Sequence, residues 1–274
     1  MLWEEHVSAP KKTRPSLSAA VRRALRGAVG LWPLHEAKSK VVLGRHVPAL
    51  RRFEDAEVTR LGDLLGPLPT ALVTTVIPTY RRPGLLPAAV ESALAQTVDD
   101  HLVIVVDDGG GLPPLPSDPR LVAVGLSRNT KVVGLVRNVG IRLTASPYLA
   151  FLDDDNTWHP DHLEISLAAL REGADLTYTA VERHHSDGTV FDVLSQPFDR
   201  KAMVDGDSFV DTNGLVLRRD PQVLYSRLPR TKVTMPKEDW EFIHRASRTR
   251  VVRHIPQATV RYLINRDSYY TKWE

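Results

Sequence analysis

Three short apolar runs in the chain each end in polar or acidic residues. Val73-Thr74-Thr75-Val76-Ile77 leads into Pro78-Thr79-Tyr80, and Leu102-Val103-Ile104-Val105-Val106 into Asp107-Asp108-Gly109. Tyr148-Leu149-Ala150-Phe151-Leu152 leads into Asp153-Asp154-Asp155-Asn156. β-Branched runs of this kind predict strands buried in a mostly parallel sheet. Between them the pattern predicts helices, over Pro83 to Gln96, where Pro83 suits a helix start, and over Asn138 to Ala145. A further strand is predicted over Leu121 to Leu126, after the Pro- and Gly-rich loop Gly109 to Pro119. Pro160 to Glu172 predicts another helix, and residues 176–193 two strands around the turn Ser186-Asp187-Gly188. Strands alternating with helices imply right-handed βαβ units and an α/β fold.

The first 70 residues form a helical N-terminal extension in this reading. Leu17, Val21, Leu25, Val29 and Trp32 fall near one helical face, with Arg22, Arg23 and Arg26 elsewhere. That face is too regular for a disordered tail and predicts docking, on the rest of the chain or on a second copy in a homo-oligomer; the alternative, which its arginines favour, is an anionic membrane surface. A second helix is predicted from about Phe53 to Leu65, with Ala56, Leu61 and Leu64 inward, ended by Gly66-Pro67-Leu68-Pro69. The expected division is residues 1–70 as extension, 71–165 as a first half and 166–274 as a second.

The 274 residues have the composition of an ordinary globular protein, 42% hydrophobic and 25% charged. There is no cysteine, which excludes disulfides, thiolate catalysis and cysteine-ligated zinc. Residues 1–70 hold 12 Lys and Arg against 7 Asp and Glu, whereas the remainder holds 24 against 26. The basic bias therefore lies in the extension, and a body without it argues against a nucleic-acid partner. The start of the chain lacks the basic-then-apolar pattern of a secretory signal. No apolar stretch is long enough to span a bilayer. The expectation is a cytoplasmic protein without a transmembrane segment.

In open α/β sheets ligands bind beyond the carboxyl ends of the strands. Five aspartates at that edge, Asp107, Asp108, Asp153, Asp154 and Asp155, would repel one another and resist ionisation unless a cation or a hydrogen-bonding ligand sat among them. A hard divalent ion with a phosphate-bearing ligand is the simplest resolution. A dinucleotide-binding enzyme of the Rossmann type is disfavoured, because no G-x-G-x-x-G follows a candidate first strand.

Val76-Ile77-Pro78-Thr79-Tyr80, Val105-Val106-Asp107-Asp108-Gly109, Arg137-Asn138-Val139-Gly140, Phe151-Leu152-Asp153-Asp154-Asp155 and Trp158-His159-Pro160-Asp161-His162-Leu163-Glu164 resemble, in order and spacing, the signatures of family 2 glycosyltransferases. The resemblance is close over roughly residues 72–165. It implies a GT-A fold, with a Rossmann-like, mostly parallel central sheet and flanking helices. It also implies inverting transfer from a nucleotide-diphosphate sugar, with UDP the expected nucleotide, to an acceptor hydroxyl it does not identify. The family's metal-binding aspartates fall on Asp153, Asp154 and Asp155, and its nucleotide contacts on Pro78, Thr79, Tyr80, Asp107 and Asp108.

Mg²⁺ or Mn²⁺ in such sites is held by one or two carboxylates and the substrate phosphates. Asp155 is the expected direct ligand and Asp153 a metal or donor-ribose partner, with Asp154 pointing to the other side of the strand. The alternative is that these aspartates cap the following helix. Asp107 and Asp108 either accept a hydrogen bond from the base or form a turn with Gly109. Tyr80 either stacks on the base or packs in the core, and Arg137 meets a diphosphate or a carboxylate or lies on the surface.

Glu238-Asp239-Trp240-Glu241 resembles the family's acceptor-site Glu-Asp motif, which makes Asp239 the candidate general base; the alternative is an acidic helix start. Arg81 stands where the family often has Asn, and Gly110 where it usually has Ser. Asn265 falls where relatives often carry His, which bears on a metal or diphosphate contact. His184 and His185 read as hairpin surface. A sugar-nucleotide-binding scaffold of the same fold without turnover is the second reading, opposed by the retained carboxylates.

Overall fold

The computed structural model describes residues 31–205, 210–220, 223–230 and 238–264. The expected helix over Leu17 to Trp32 lies outside the described residues except at its very end, and Asn265 lies outside them too.

The three apolar runs form strands β1 (Val73–Thr79), β2 (His101–Asp107) and β4 (Tyr148–Phe151), and β3 is Leu121–Gly125. They pair in parallel in the order β3-β2-β1-β4. All seven residues of β1 and of β2 are buried, as expected of strands covered on both faces. The sheet continues through β8 (Leu215–Arg218), β6 (Leu176–His184), β9 (Val252–Leu263) and β5 (Thr157–Trp158), with β7 (Val190–Leu194) on β6. In this second half β8 runs antiparallel to both of its neighbours, β4 and β6, whereas β6 and β9 pair in parallel.

Successive side chains of a strand face opposite ways, and β2 divides accordingly. Val103 and Val105 pack under α3 (Leu86–Leu94) and α5 (His162–Arg171). Ile104 and Val106 pack under α4 (Val133–Leu143) and join Leu61 of α2 (Val47–Leu65) and Phe242 of α7 (Glu238–Ala246). Helices α1 (Leu31–Leu43) and α6 (Arg200–Asp205) complete the described set. Among the described residues no helix is long and apolar enough to cross a membrane.

Two expected helices differ from those found. Helix α4 starts at Val133, not Asn138, because its first turn is a valine- and glycine-containing stretch with weak intrinsic helix preference that packing overrides. At Gly140 a side-chain carbon would stand 2.6 Å from Val76 Cγ1, so glycine lets this helix lie close on β1. Helix α2 is longer than expected, and its inward stripe is not the one read from apolarity. Ala56 is exposed and Leu64 is 73% exposed, while Glu54 and Glu57 are buried beside Leu61. Ion pairing, invisible to a hydrophobic pattern, brings these carboxylates in.

Candidate active site

The β1–β4 ladder ends at Val76 and Phe151, followed by the Leu152 N–H to the Val76 carbonyl at 3.2 Å. Pro78 has no N–H with which to continue it. The chain therefore leaves the sheet at Asp153, and a cleft of about 710 Å³ opens over the strand ends. Pro78, Thr79, Tyr80, Asp108, Arg137 and Asp153 to Asp155 all line it, so eight of the nine positions expected on the donor and metal side share one space. Its size suits a small-molecule ligand.

Asp107 is the exception and does not line this cleft. Its carboxylate accepts the Gly110 N–H at 2.8 Å and the Gly111 N–H at 2.8 Å, the turn-forming alternative. Asp108 lines the cleft and also holds a loop, accepting the Thr130 N–H and hydroxyl, each at 2.8 Å, and the Lys131 N–H at 3.0 Å. Burial raises its pKa against those hydrogen bonds. Tyr80 is 36% exposed at the rim with the Arg81 guanidinium 5.2 Å from its ring centre, so its ring is open to a ligand rather than packed in the core.

Arg137 meets carboxylates. Its guanidinium, with only 3% of the side chain exposed, donates to Asp153 Oδ1 at 2.5 Å and to Glu238 Oε1 at 3.0 Å. It thereby joins the end of β4 to the start of α7. Asp154 lines the cleft, and the Thr79 hydroxyl donates to it at 2.6 Å. Burial pushes its pKa up to about 6 despite that bond. Asp155 pairs with Arg82 at 3.0 Å.

Among the described residues no three acidic or histidine side chains are grouped as a ready metal cage. The donors nonetheless suit an ion that takes most of its ligands from substrate phosphates. Asp155 and Asp153 present carboxylates to a wide cleft, and one or two carboxylates suffice for Mg²⁺ or Mn²⁺ in that mode.

Glu238 lines the cleft, and Asp239 follows it on α7, with its Oδ1 accepting the Trp240 N–H at 2.7 Å. Burial raises the Asp239 pKa, and the nearby charges of Glu238 and Asp211 raise it further. A carboxylate shifted toward neutrality suits proton acceptance.

Sequence reasoning missed Asn213 and Asp211. The Asp153 N–H donates to Asn213 Oδ1 at 2.6 Å, and Asn213 Nδ2 donates to Asp153 Oδ2 at 3.2 Å and to Asp211 Oδ1 at 2.6 Å. Burial and then Asp153 push the Asp211 pKa up to about 6. The available signal was Asp211-Thr212-Asn213-Gly214 standing before the apolar run Leu215-Val216-Leu217. An antiparallel strand presents its beginning, not its end, at the ligand edge. His184 pairs with Glu182 at 2.6 Å and His185 is exposed, both on the β6–β7 hairpin as expected.

Residues 74–225 match the family model described as "Glycosyl transferase family 2". Succinoglycan biosynthesis protein ExoW of Rhizobium meliloti is 29% identical over 187 residues, covering 64% of this chain and 53% of that protein. Chondroitin synthase of Escherichia coli is 32% identical over 112 residues, covering 38% of this chain and 16% of that one. The match thus spans about half of ExoW and a small part of the synthase. The structure of S. aureus TarS residues 1–349 with UDP-GlcNAc superposes with a TM-score of 0.57 at 15% identity, covering 72% of this chain and 60% of that one. Mannosyltransferase PcManGT of Pyrobaculum calidifontis, with GDP-Man and Mn²⁺, superposes with a TM-score of 0.52 at 13% identity, covering 84% and 70%. These likenesses carry the fold expected from the sequence.

Proposed function

The chain belongs to glycosyl transferase family 2, and on that premise we propose that it moves a sugar from a nucleoside diphosphate to an acceptor hydroxyl with inversion at the anomeric carbon. The observation that carries this reading is Arg137, which binds Asp153 of the triple aspartate on one side and Glu238 of the Glu-Asp pair on the other. Two acidic motifs 85 residues apart in sequence thus face one cleft, as a reaction between a phosphate-bearing donor and a hydroxyl acceptor needs.

In this reading the first half, to about residue 165, holds the donor. The base lies against Tyr80 and Asp108, and Thr79 and Asp154 fix the floor beneath the diphosphate. Asp155 with Asp153 would hold Mg²⁺ or Mn²⁺, which neutralises the charge that builds on a departing diphosphate. UDP remains the nucleotide proposed. TarS was solved with a UDP-sugar and PcManGT with a GDP-sugar, so both belong in the test.

The second half holds the acceptor. Asp239 takes the proton of the acceptor hydroxyl as its oxygen attacks the anomeric carbon from the face opposite the diphosphate. The bond between that carbon and the diphosphate oxygen breaks, and the nucleoside diphosphate leaves. The names of ExoW and chondroitin synthase favour a growing polysaccharide as acceptor. Release of nucleoside diphosphate from UDP- and GDP-sugars, with Mn²⁺ and a panel of oligosaccharide acceptors, tests the reading. No release from any combination overturns it.

A further inference from the structure

The family match begins at residue 74, yet a residue of the extension is bonded to Asn138, the neighbour of Arg137 in the cleft. Glu54 of α2 is fully buried. Arg227 grips it with two prongs, Nε to Oε2 and Nη2 to Oε1, each at 2.6 Å. Arg142 of α4 donates to Oε1 at 2.9 Å, and Asn138 Nδ2, also on α4, donates to Oε2 at 3.2 Å. One carboxylate thereby ties the extension to α4 and to the segment around Tyr225.

From Glu54 the contacts continue toward the site. Asn138 clamps the Tyr225 backbone in both directions, its Oδ1 accepting the Tyr225 N–H at 2.7 Å and its Nδ2 donating to the Tyr225 carbonyl at 3.1 Å. The Tyr225 ring stacks on Phe242 of α7 at 4.3 Å between centres, and the Arg137 guanidinium sits 5.0 Å from the same ring centre. Arg137 precedes Asn138, and Phe242 lies one helical turn beyond Glu238 and Asp239. Tyr225 thus sets α7 against α4, and Asn138, oriented by Glu54, sets Tyr225.

We propose that Glu54 is a positioning residue, which fixes Arg137 and the Glu238-Asp239 pair relative to each other through Asn138 and Tyr225. The extension is then a working part of the transfer site. Its catalytic consequence rests on the reading of the cleft given above, whereas its structural content does not. A buried carboxylate gripped by a guanidinium is also costly to neutralise, because Arg227 then loses its ion pair, while Arg142 keeps Asp55 at 2.7 Å. The alignment therefore depends on the charge of Glu54 as well as its shape.

The test compares Glu54→Gln with Glu36→Gln in the full chain. Glu36, on α1, pairs with Arg230 at 2.7 Å, outside the Asn138 and Tyr225 contacts, so its loss loosens the extension without removing a bond of the relay. Amide hydrogen exchange reads the alignment directly. Glu54→Gln should speed exchange over residues 133–143 and 223–228 well beyond what Glu36→Gln does, at temperatures where both are folded. Equal exchange in the two variants overturns the proposal.

With turnover established, Glu54→Gln should lower kcat about tenfold or more while the KM for donor moves little, the split expected when reacting groups are misplaced and the ligand site is intact. Faster exchange with unchanged kcat overturns the positioning role. Faster exchange in a chain whose parent transfers no sugar leaves the relay standing and removes the proposed function instead. Should Glu54→Gln not fold, Arg227→Lys keeps the charge, breaks the two-pronged grip and is read the same way.

Discussion

Arg81 and Gly110 are fitted to each other. Arg81 has a left-handed backbone, φ 53°, where non-glycine residues are uncommon and Asn is favoured. A side-chain carbon on Gly110 would stand 2.9 Å from Arg81 Cγ and 2.9 Å from Tyr80 Cδ2. These are the positions where the sequence resemblance implied Asn and Ser, and they touch beside the ring proposed to stack on the base. The expected outcome is coupling. Gly110→Ser should weaken nucleotide binding and lower Tm in the parent chain. In an Arg81→Asn background it should cost less, by about 0.5–3 kcal/mol of interaction energy, the range seen for contacting residues. A double-mutant cycle by thermal melting and nucleotide titration checks this, and strict additivity would contradict it.

Asp239 and Glu238 are separable by charge-neutral substitution. Loss of a general base costs about 10²–10⁴-fold in rate, so Asp239→Asn should bind donor normally and turn over slower by that order. Glu238→Gln, which loses only a partner of Arg137, should cost less. Single-turnover rates with donor bound discriminate the two, and an NMR assignment of the product's anomeric centre should show inversion. Parent-like turnover by Asp239→Asn would move the base elsewhere.

Asp211 makes stability depend on pH with a defined sign. Its pKa rises from an ordinary carboxylate value to about 6 in the folded chain. Between about pH 4 and 6 the native state therefore holds a proton that the unfolded state has lost. Stability rises as pH falls through that window, and the cost of the buried charge is full above it. Asp211→Asn keeps the acceptor oxygen for Asn213 and removes the charge. Its Tm relative to the parent should be higher at pH 8 than at pH 4, where the advantage disappears. A Tm difference that is the same at both values would contradict this.

The cleft edge was legible in the sequence because parallel strands announce it. Each of β1, β2 and β4 is a buried run with polar residues at its carboxyl end, and the cleft opens over those ends. Asn213 was not legible, because β8 is antiparallel and brings its beginning to the same edge. Glu54 and Glu57 were not legible either. A pattern read for apolar residues puts Leu64 inside α2 and the carboxylates outside, and partners distant in sequence, Arg227 for Glu54 and Ser127 beside the local Arg60 for Glu57, reverse this. Asp107 and Asp108 were indistinguishable as neighbours. The strand's alternation sends one to the Gly110 and Gly111 amides and the other to the cleft.

Asp155 is proposed to meet the cation directly, with Arg82 as its partner otherwise. Asp155→Ala should fold with a parent-like melting curve and lose transfer. The parent should lose transfer in excess EDTA and regain it with Mn²⁺ or Mg²⁺. Undiminished turnover in EDTA would contradict a metal role for this carboxylate.

The cleft over Asp153 and Tyr80 is proposed to bind a nucleoside diphosphate. Calorimetric titration of UDP and GDP in Mn²⁺ into the parent chain, Tyr80→Ala and Asp153→Ala tests it most directly. Saturable binding to the parent is expected, with UDP the tighter, and a loss of about tenfold, some 1.4 kcal/mol, in each variant. Absence of binding to the folded parent, or equal affinity in all three proteins, would contradict it.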